Sequence, residues 1–300
     1  MTDLRVRVPA TSANLGPGFD SFGVALPLVA DFELRPARTW SVSVEGDGEG
    51  IPTGEDNLFV RAARATASAA GRLLAAHLVT QRSAIPLARG LGSSAAAIVG
   101  GCVAANAVLG DPLDRRTLLR IASDVEGHAD NVAAALYGAF TLALPTDDGP
   151  SATRLAFPSA WRICLFIPSQ SLSTEAARAV LPQSVSRADA VFNLSHAAAL
   201  IAAVLRADGP LLSLAMEDRL HQPARLRLVP ALEEIVASAR AAGAFGAALS
   251  GAGPSVIAVA PARLAPRVIA AMEDAAAGAG AGGRARVLRV RAAGATVHRS

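Results

Sequence analysis

The stretch "LARGLGSSAAA" (residues 87–97) reads as a glycine turn that runs straight into a helix. Gly90 and Gly92 let the backbone fold back and approach a ligand without Cβ clashes. Ser93 and Ser94 stand where the helix begins. The unpaired N–H groups and the dipole of a helix start favour an anion. A serine hydroxyl there reaches a phosphate oxygen or Mg²⁺. The same residues also read as a plain turn with Ser93 as an N-cap. No lysine occurs anywhere in the chain. A Walker loop, a protein-kinase site and a Schiff-base pyridoxal enzyme each need one, so these classes fall away.

Working outward, 300 residues at 52% hydrophobic and 18% charged support a sizeable core and one large or two ordinary domains. The net charge of +3 comes without a dense basic run interleaved with aromatics. Nucleic acid is therefore not the expected partner; a small anion is. Cys102 and Cys164 lie in apolar segments and read as buried free thiols of a reducing compartment. They form no metal-ligand pattern. The beginning of the sequence is too polar for a secretory signal. Glycine and polar residues interrupt every apolar stretch before roughly 20 residues. The expectation is a cytoplasmic protein with no membrane span.

The first half mixes strands (4–9, 41–46, and "GAFTLALP" at 138–145) with helices (57–78, 94–109, 115–126). The helix at 94–109 is apolar nearly all round and so should be buried. A polar, turn-rich segment at 145–152 suggests a division into residues 1–150 and 151–300. In the second half a buried strand (162–168) precedes helices at 174–180, 187–206, 210–217 and 230–242. Strands at "FGAALS" and "SVIAVA", a helix at 261–277 and the strand "RVLRVRA" follow. This β-α-β-β-α-β order is the split βαβ arrangement with extra helices in its first crossover. The low-complexity run 275–283 reads as a flexible loop.

Two more stretches sharpen the reading. "VPATSANLGPGFDSFGVAL" (8–26) packs small and polar residues around glycines, with Asn14 and Asp20 as its useful groups. "ALSGAGPSV" (248–256) is a glycine-rich turn between strands. With the motif Pro-x-x-x-Gly-Leu-Gly-Ser-Ser-Ala-Ala at 86–96, these resemble the GHMP kinases. That family is named for galactokinase, homoserine kinase, mevalonate kinase and phosphomevalonate kinase. "EGHADNVAAALYG", "STEAARAVLP" and "DRLHQPAR" bring the likeness closest to the members that phosphorylate L-homoserine.

The resemblance implies an α+β fold of two domains. An N-terminal nucleotide-binding α/β domain with a left-handed βαβ crossover packs on a ferredoxin-like C-terminal domain. It implies transfer of the γ-phosphoryl of ATP to the side-chain hydroxyl of L-homoserine, a step toward threonine. ATP would lie on Asn57 and on Pro86, Leu87, Ala88, Arg89, Gly90, Leu91, Gly92, Ser93, Ser94, Ala95 and Ala96. Ser94 and Glu126 would hold Mg²⁺ among waters. The family pattern gives Asn14, Asp20, His128, Asn131, Arg178 and Arg225 for homoserine.

Chemistry agrees: an ammonium needs a carboxylate, and a carboxylate suits guanidinium forks. Thr174, one helical turn before Arg178, would line the same pocket. Ser250, Gly251 and Gly253 would close the cleft. Asn14, Ser94, Asn131 and Arg178 would serve the transfer itself. Asn131 stands where mevalonate kinases and galactokinases have an aspartate, so no side-chain base is expected there.

Plainer readings stand beside these. Asn57 also reads as a helix N-cap, His128 as a structural histidine, and Arg178 and Arg225 as solvated helix residues. Asp124 competes with Glu126 for the metal, though two residues away on one helix it would point elsewhere. His77, His196, His221 and His298 default to structural or surface roles. An isoprenoid or sugar kinase of the same family and a non-catalytic nucleotide-binding relative are the alternative functions. Family members are often homodimers, but no stripe in the sequence independently demands one.

Overall fold

The computed structural model describes residues 4–46, 50–229 and 231–299. β1 (Leu4–Asn14) and β2 (Gly18–Pro36) form a long antiparallel pair. The chain continues through β3 (Ser41–Glu45), α1 (Leu58–Ala69) and β4 (His77–Ser83). It then enters α2 (Ser93–Val108), α3 (Arg115–Glu126), α4 (Asp130–Tyr137), β5 (Phe140–Leu144) and β6 (Ser151–Leu155). β3 and β4 lie parallel, joined through α1. α2 is buried along most of its length, as its all-round apolar pattern predicts, and packs on β1, α1, α3 and α4.

The second half contributes β7 (Trp161–Pro168), α5 (Thr174–Ala179), α6 (Arg187–Arg206), α7 (Gly209–Ala215), α8 (Gln222–Arg225) and α9 (Leu232–Ala241). β8 (Gly246–Leu249), β9 (Val256–Pro261), α10 (Ala265–Gly278), β10 (Gly283–Leu288) and β11 (Thr296–Arg299) complete it. Its four-stranded sheet runs β10-β7-β9-β8 with every neighbouring pair antiparallel. That is the split βαβ arrangement, with α5 to α8 inserted before α9. β11 leaves this sheet and pairs with β1 in the seven-stranded one. The expected division at residue 150 falls in the turn between β5 and β6, and β6 pairs with β5 in the first sheet.

Several elements depart from the sequence reading. The helix expected over 57–78 stops at Ala69. Gly71 takes φ +61°, and the Arg72 N–H bonds back to Ala67, which closes the helix. Leu78 then belongs to β4. β2, 19 residues long, escapes notice because Gly18, Gly23 and Pro27 break its alternation. α10 carries the low-complexity run as far as Gly278, so only part of that run is loop. The expected helix start at Pro230 lies outside the described residues, and the helix is seen from Leu232. α6 is 20 residues long with an 18-residue window of mean hydropathy 1.6, and Asp189, Asn193 and His196 interrupt it, in keeping with the expectation that polar residues break every long apolar stretch. Its inner side buries Leu200, Ala203 and Val204 together with Asn193, which donates to the Pro17 carbonyl at 3.3 Å and to Asp218 at 2.8 Å. Val191, Leu194 and Leu205 lie exposed on its outer side.

Candidate active site

The glycine turn is built by its neighbours as much as by itself. Gly90 and Gly92 both take φ +68°. A Cβ at Gly90 would strike the Ser250 carbonyl, and one at Gly92 would strike the Thr11 hydroxyl. Ser250 donates to the Gly90 carbonyl at 2.7 Å, and the Gly251 N–H donates to Ala13 at 3.0 Å. Arg89 reaches across to the Pro168 carbonyl at 2.9 Å. These bonds pin the loop between the two sheets.

Gly92, not Ser93, is the N-cap of α2, and it offers no side chain to the helix start. The first N–H to bond back is that of Ala96, onto Gly92. Among the described residues, the N–H groups of Ser93, Ser94 and Ala95 have no backbone acceptor. That is an anion site made of backbone alone. Ala95 and Ala96 point into the core, so only their backbone is near the cleft.

The cleft has a volume of ≈ 400 Å³. Its walls include residues 86–94, Asn57, Glu126, His128 and Asn131, together with Asn14, Asp20, Thr174, Arg178, Arg225 and Gly251. Every expected site residue except Ala95, Ala96, Ser250 and Gly253 therefore borders it. Asp124 is exposed on the outer side of α3, as its spacing from Glu126 predicts. Asn57 caps α1: it accepts from Phe59 N–H at 2.8 Å and donates to Pro52 at 2.6 Å.

At the helix start, Ser94 donates to Glu126 Oε1 at 2.6 Å. Burial pushes the Glu126 carboxyl above its usual range, against the pull of Ser94 and His128. Among the described residues its nearest cationic group is His128 Nε2, at 3.9 Å. His128 Nδ1 sits 2.7 Å from Asp130. Burial opposes the imidazolium, but Asp130 and Glu126 outweigh it and raise His128. A buried carboxylate beside a hydroxyl and without an arginine partner suits a small divalent cation that keeps its waters. No cluster of three or more His, Cys, Asp or Glu in metal-binding arrangement occurs among the described residues.

Asn131, at the start of α4, accepts at its carbonyl oxygen from Thr11 at 2.8 Å. Its amide nitrogen has only a long contact, 3.4 Å, to Asp130. Thr11 thus orients the amide so that its N–H₂ end is left for the cleft.

Asp20 meets Arg178 in a bidentate pair at 2.7 and 3.2 Å. Asp20 takes φ +54°, and the Asn14 side chain accepts its N–H at 3.1 Å. Asn14 also donates to the Gly251 carbonyl at 2.9 Å. Arg225 is fully buried, donating to Ala177 at 3.0 Å, to Gly251 at 3.3 Å and to His221 Nδ1 at 3.1 Å. Burial, helped by neighbouring Arg178, brings its pKa down to about 10. His221 lies behind it and bonds the Gly16 carbonyl through Nε2 at 2.9 Å. Because Nδ1 accepts from Arg225, the imidazole is the neutral Nε2–H form, and burial lowers its pKa accordingly. His221 and Thr11 were not legible as site residues. Each acts through a partner more than 100 positions away or through the back of a motif.

Comparisons with known proteins follow the same lines. The family model for the GHMP kinases N terminal domain matches residues 57–139, and that for the GHMP kinases C terminal matches residues 200–278. A homoserine kinase of Moorella thermoacetica is 46% identical over 254 residues, 84% of this chain and 86% of that one. A homoserine kinase of Desulfitobacterium hafniense is 43% identical over 295 residues, 98% of this chain and 99% of that one. The crystal structure of homoserine kinase from Cytophaga hutchinsonii aligns with a TM-score of 0.89 at 30% identity, over 99% of this chain and 97% of that one.

Proposed function

Because the chain belongs to the GHMP kinase family, among its homoserine kinases, we propose that its cleft moves the γ-phosphoryl of ATP to the hydroxyl of L-homoserine. The observation that carries this reading is the charge pattern of the cleft. A backbone anion site lies at Gly92 and Ser94, and the carboxylate and guanidinium groups of Asp20, Arg178 and Arg225 share the same cavity. That set is complementary to a nucleotide tail and a zwitterionic amino-acid alcohol.

In this reading the N–H groups of Ser93, Ser94 and Ala95 grip the phosphates. Ser94 and Glu126 would hold Mg²⁺, which would supply charge neutralisation at the phosphates. Asp20 takes the substrate ammonium, and Arg178 and Arg225 take its carboxylate. Asn14, His128 and Thr174 shape the pocket around it. Asn131 orients the attacking hydroxyl through its amide. A carboxamide takes no proton at neutral pH and so is no base, and a loose phosphoryl-transfer transition state asks mainly for alignment and charge neutralisation. The bidentate Asp20–Arg178 pair must open or share its oxygens as the zwitterion enters.

The test is ADP release with Mg·ATP and a panel of L-homoserine, mevalonate, galactose and L-threonine. Homoserine-dependent release is expected; release with mevalonate alone moves the acceptor elsewhere in the family, and no release with any of them defeats the kinase reading. We further place the enzyme in the cytoplasm, which its two buried free cysteines support, and read it as a homodimer. The exposed apolar side of α6 is the face that a second copy would cover.

A further inference from the structure

Gln81 sits on β4 beside Phe32 of β2 and Val44 of β3, on the same inward face as Val79. It is 4% exposed and borders the cleft, and among the described residues its carboxamide makes no hydrogen bond. A carboxamide brings two donors and an acceptor, and one that opens on a cleft without a protein partner is free to take the polar edge of a ligand. Two fully buried serine hydroxyls, Ser123 and Ser255, are unpartnered among the described residues, and neither borders the cleft. Gln81 does, at the end formed by Ile51, Pro52, Asn57, Leu58 and Ala97.

That end is otherwise apolar or committed. The Asn57 carboxamide, the obvious candidate for contact with the base, is held in its cap orientation by bonds to Pro52 and from Phe59, which use one of its two N–H groups and its oxygen. A planar heterocycle extending from phosphates at Gly92 would enter an apolar slot with one free amide in its wall. Glutamine pairs with the 6-amino group and the adjacent ring nitrogen of adenine through one donor and one acceptor.

We propose that Gln81 reads the base of the phosphoryl donor and sets the preference for a 6-aminopurine nucleoside triphosphate. The proposal rests on the nucleotide reading of the glycine loop and goes beyond it by assigning the residue that recognises the base. Asn57 is left to shape the slot.

The test replaces Gln81 by Met and, separately, by Glu, in the full-length enzyme. The donors are ATP and purine riboside triphosphate, which lacks the 6-amino group. The wild type should show a KM for ATP at least about 10-fold below that for the purine analogue. Gln81→Met should raise the ATP KM about 10-fold, leave the analogue nearly unchanged and spare both kcat and the homoserine KM. Gln81→Glu, which keeps the acceptor and loses the donor, should fall between. The nucleotide-free Gln81→Met protein should keep the wild-type Tm to within a few degrees. A merely structural glutamine would lower it. An unchanged ATP-to-analogue ratio in Gln81→Met, or a lowered Tm with unchanged ATP KM, overturns the assignment while leaving the kinase reading intact. Loss of activity with every nucleotide in the wild type would overturn both.

Discussion

The two ends of the cleft are made in different ways. The nucleotide end is a continuous run, residues 86–94, whose chemistry is backbone N–H and glycine. The acceptor end is drawn from Asn14, Asp20, His128, Asn131, Thr174, Arg178, Arg225 and Gly251, on segments far apart in the chain. Asn14 bonds Gly251 across 237 positions, and Arg178 bonds Asp20 across 158. A backbone site tolerates exchange of most side chains but not of its glycines. A side-chain site tolerates backbone shifts of its supports less than it tolerates dilution of any one charge. Substitutions at the two ends should therefore fail in different kinetic parameters.

The largest effect is expected at Gly92. Alanine there meets the Thr11 hydroxyl and must hold φ +68°. Gly92→Ala should cut kcat/KM about 1,000-fold, the scale of a lost phosphate cradle, while circular dichroism shows a folded protein. Near-normal turnover would mean the loop does not need this backbone.

At the other end, Asp20→Asn should raise the homoserine KM about 100-fold through loss of a charge-assisted pair, with the ATP KM unchanged. Equal damage to both KM values would mean that Asp20 supports the fold through Arg178 and not the substrate.

Thr11 stands between the two ends, touching Gly92 and Asn131, and so sharpens the contrast. Thr11→Val should lower kcat about 10-fold, the worth of one orienting hydrogen bond, and Thr11→Ser should restore it. Failure of serine to rescue would assign the loss to packing. The smallest effect is expected of Asn131→Asp, which should change turnover by no more than a few-fold in the upward direction. A large gain would show that a missing base limits the wild type.

The reach of the sequence follows the same division. The loop at 86–96, the helix behind it and the split βαβ order of the second half were all legible, because each is a local pattern of glycine, periodicity and chain order. The residues bordering the cleft were legible as a set, but their pairings were not. Asp20 and Arg178 read as separate ligands for a zwitterion, and they prove to be bonded to one another. Arg225 read as a guanidinium fork, and two of its five N–H groups are spent on the Ala177 and Gly251 carbonyls. Its partner His221 gave no signal beyond standing four residues ahead of it.

By itself the sequence determined an anion cradle without lysine, since φ-permissive glycines and a helix start are properties of neighbouring residues. Only the tertiary structure decided which amides are left free. Asn57 is held by its cap, Asn131 is turned by Thr11, and Gln81 borders the cleft with no hydrogen bond among the described residues. Hydrogen-bond satisfaction is settled by whatever the fold brings within about 3 Å, and residue order alone does not encode that distance.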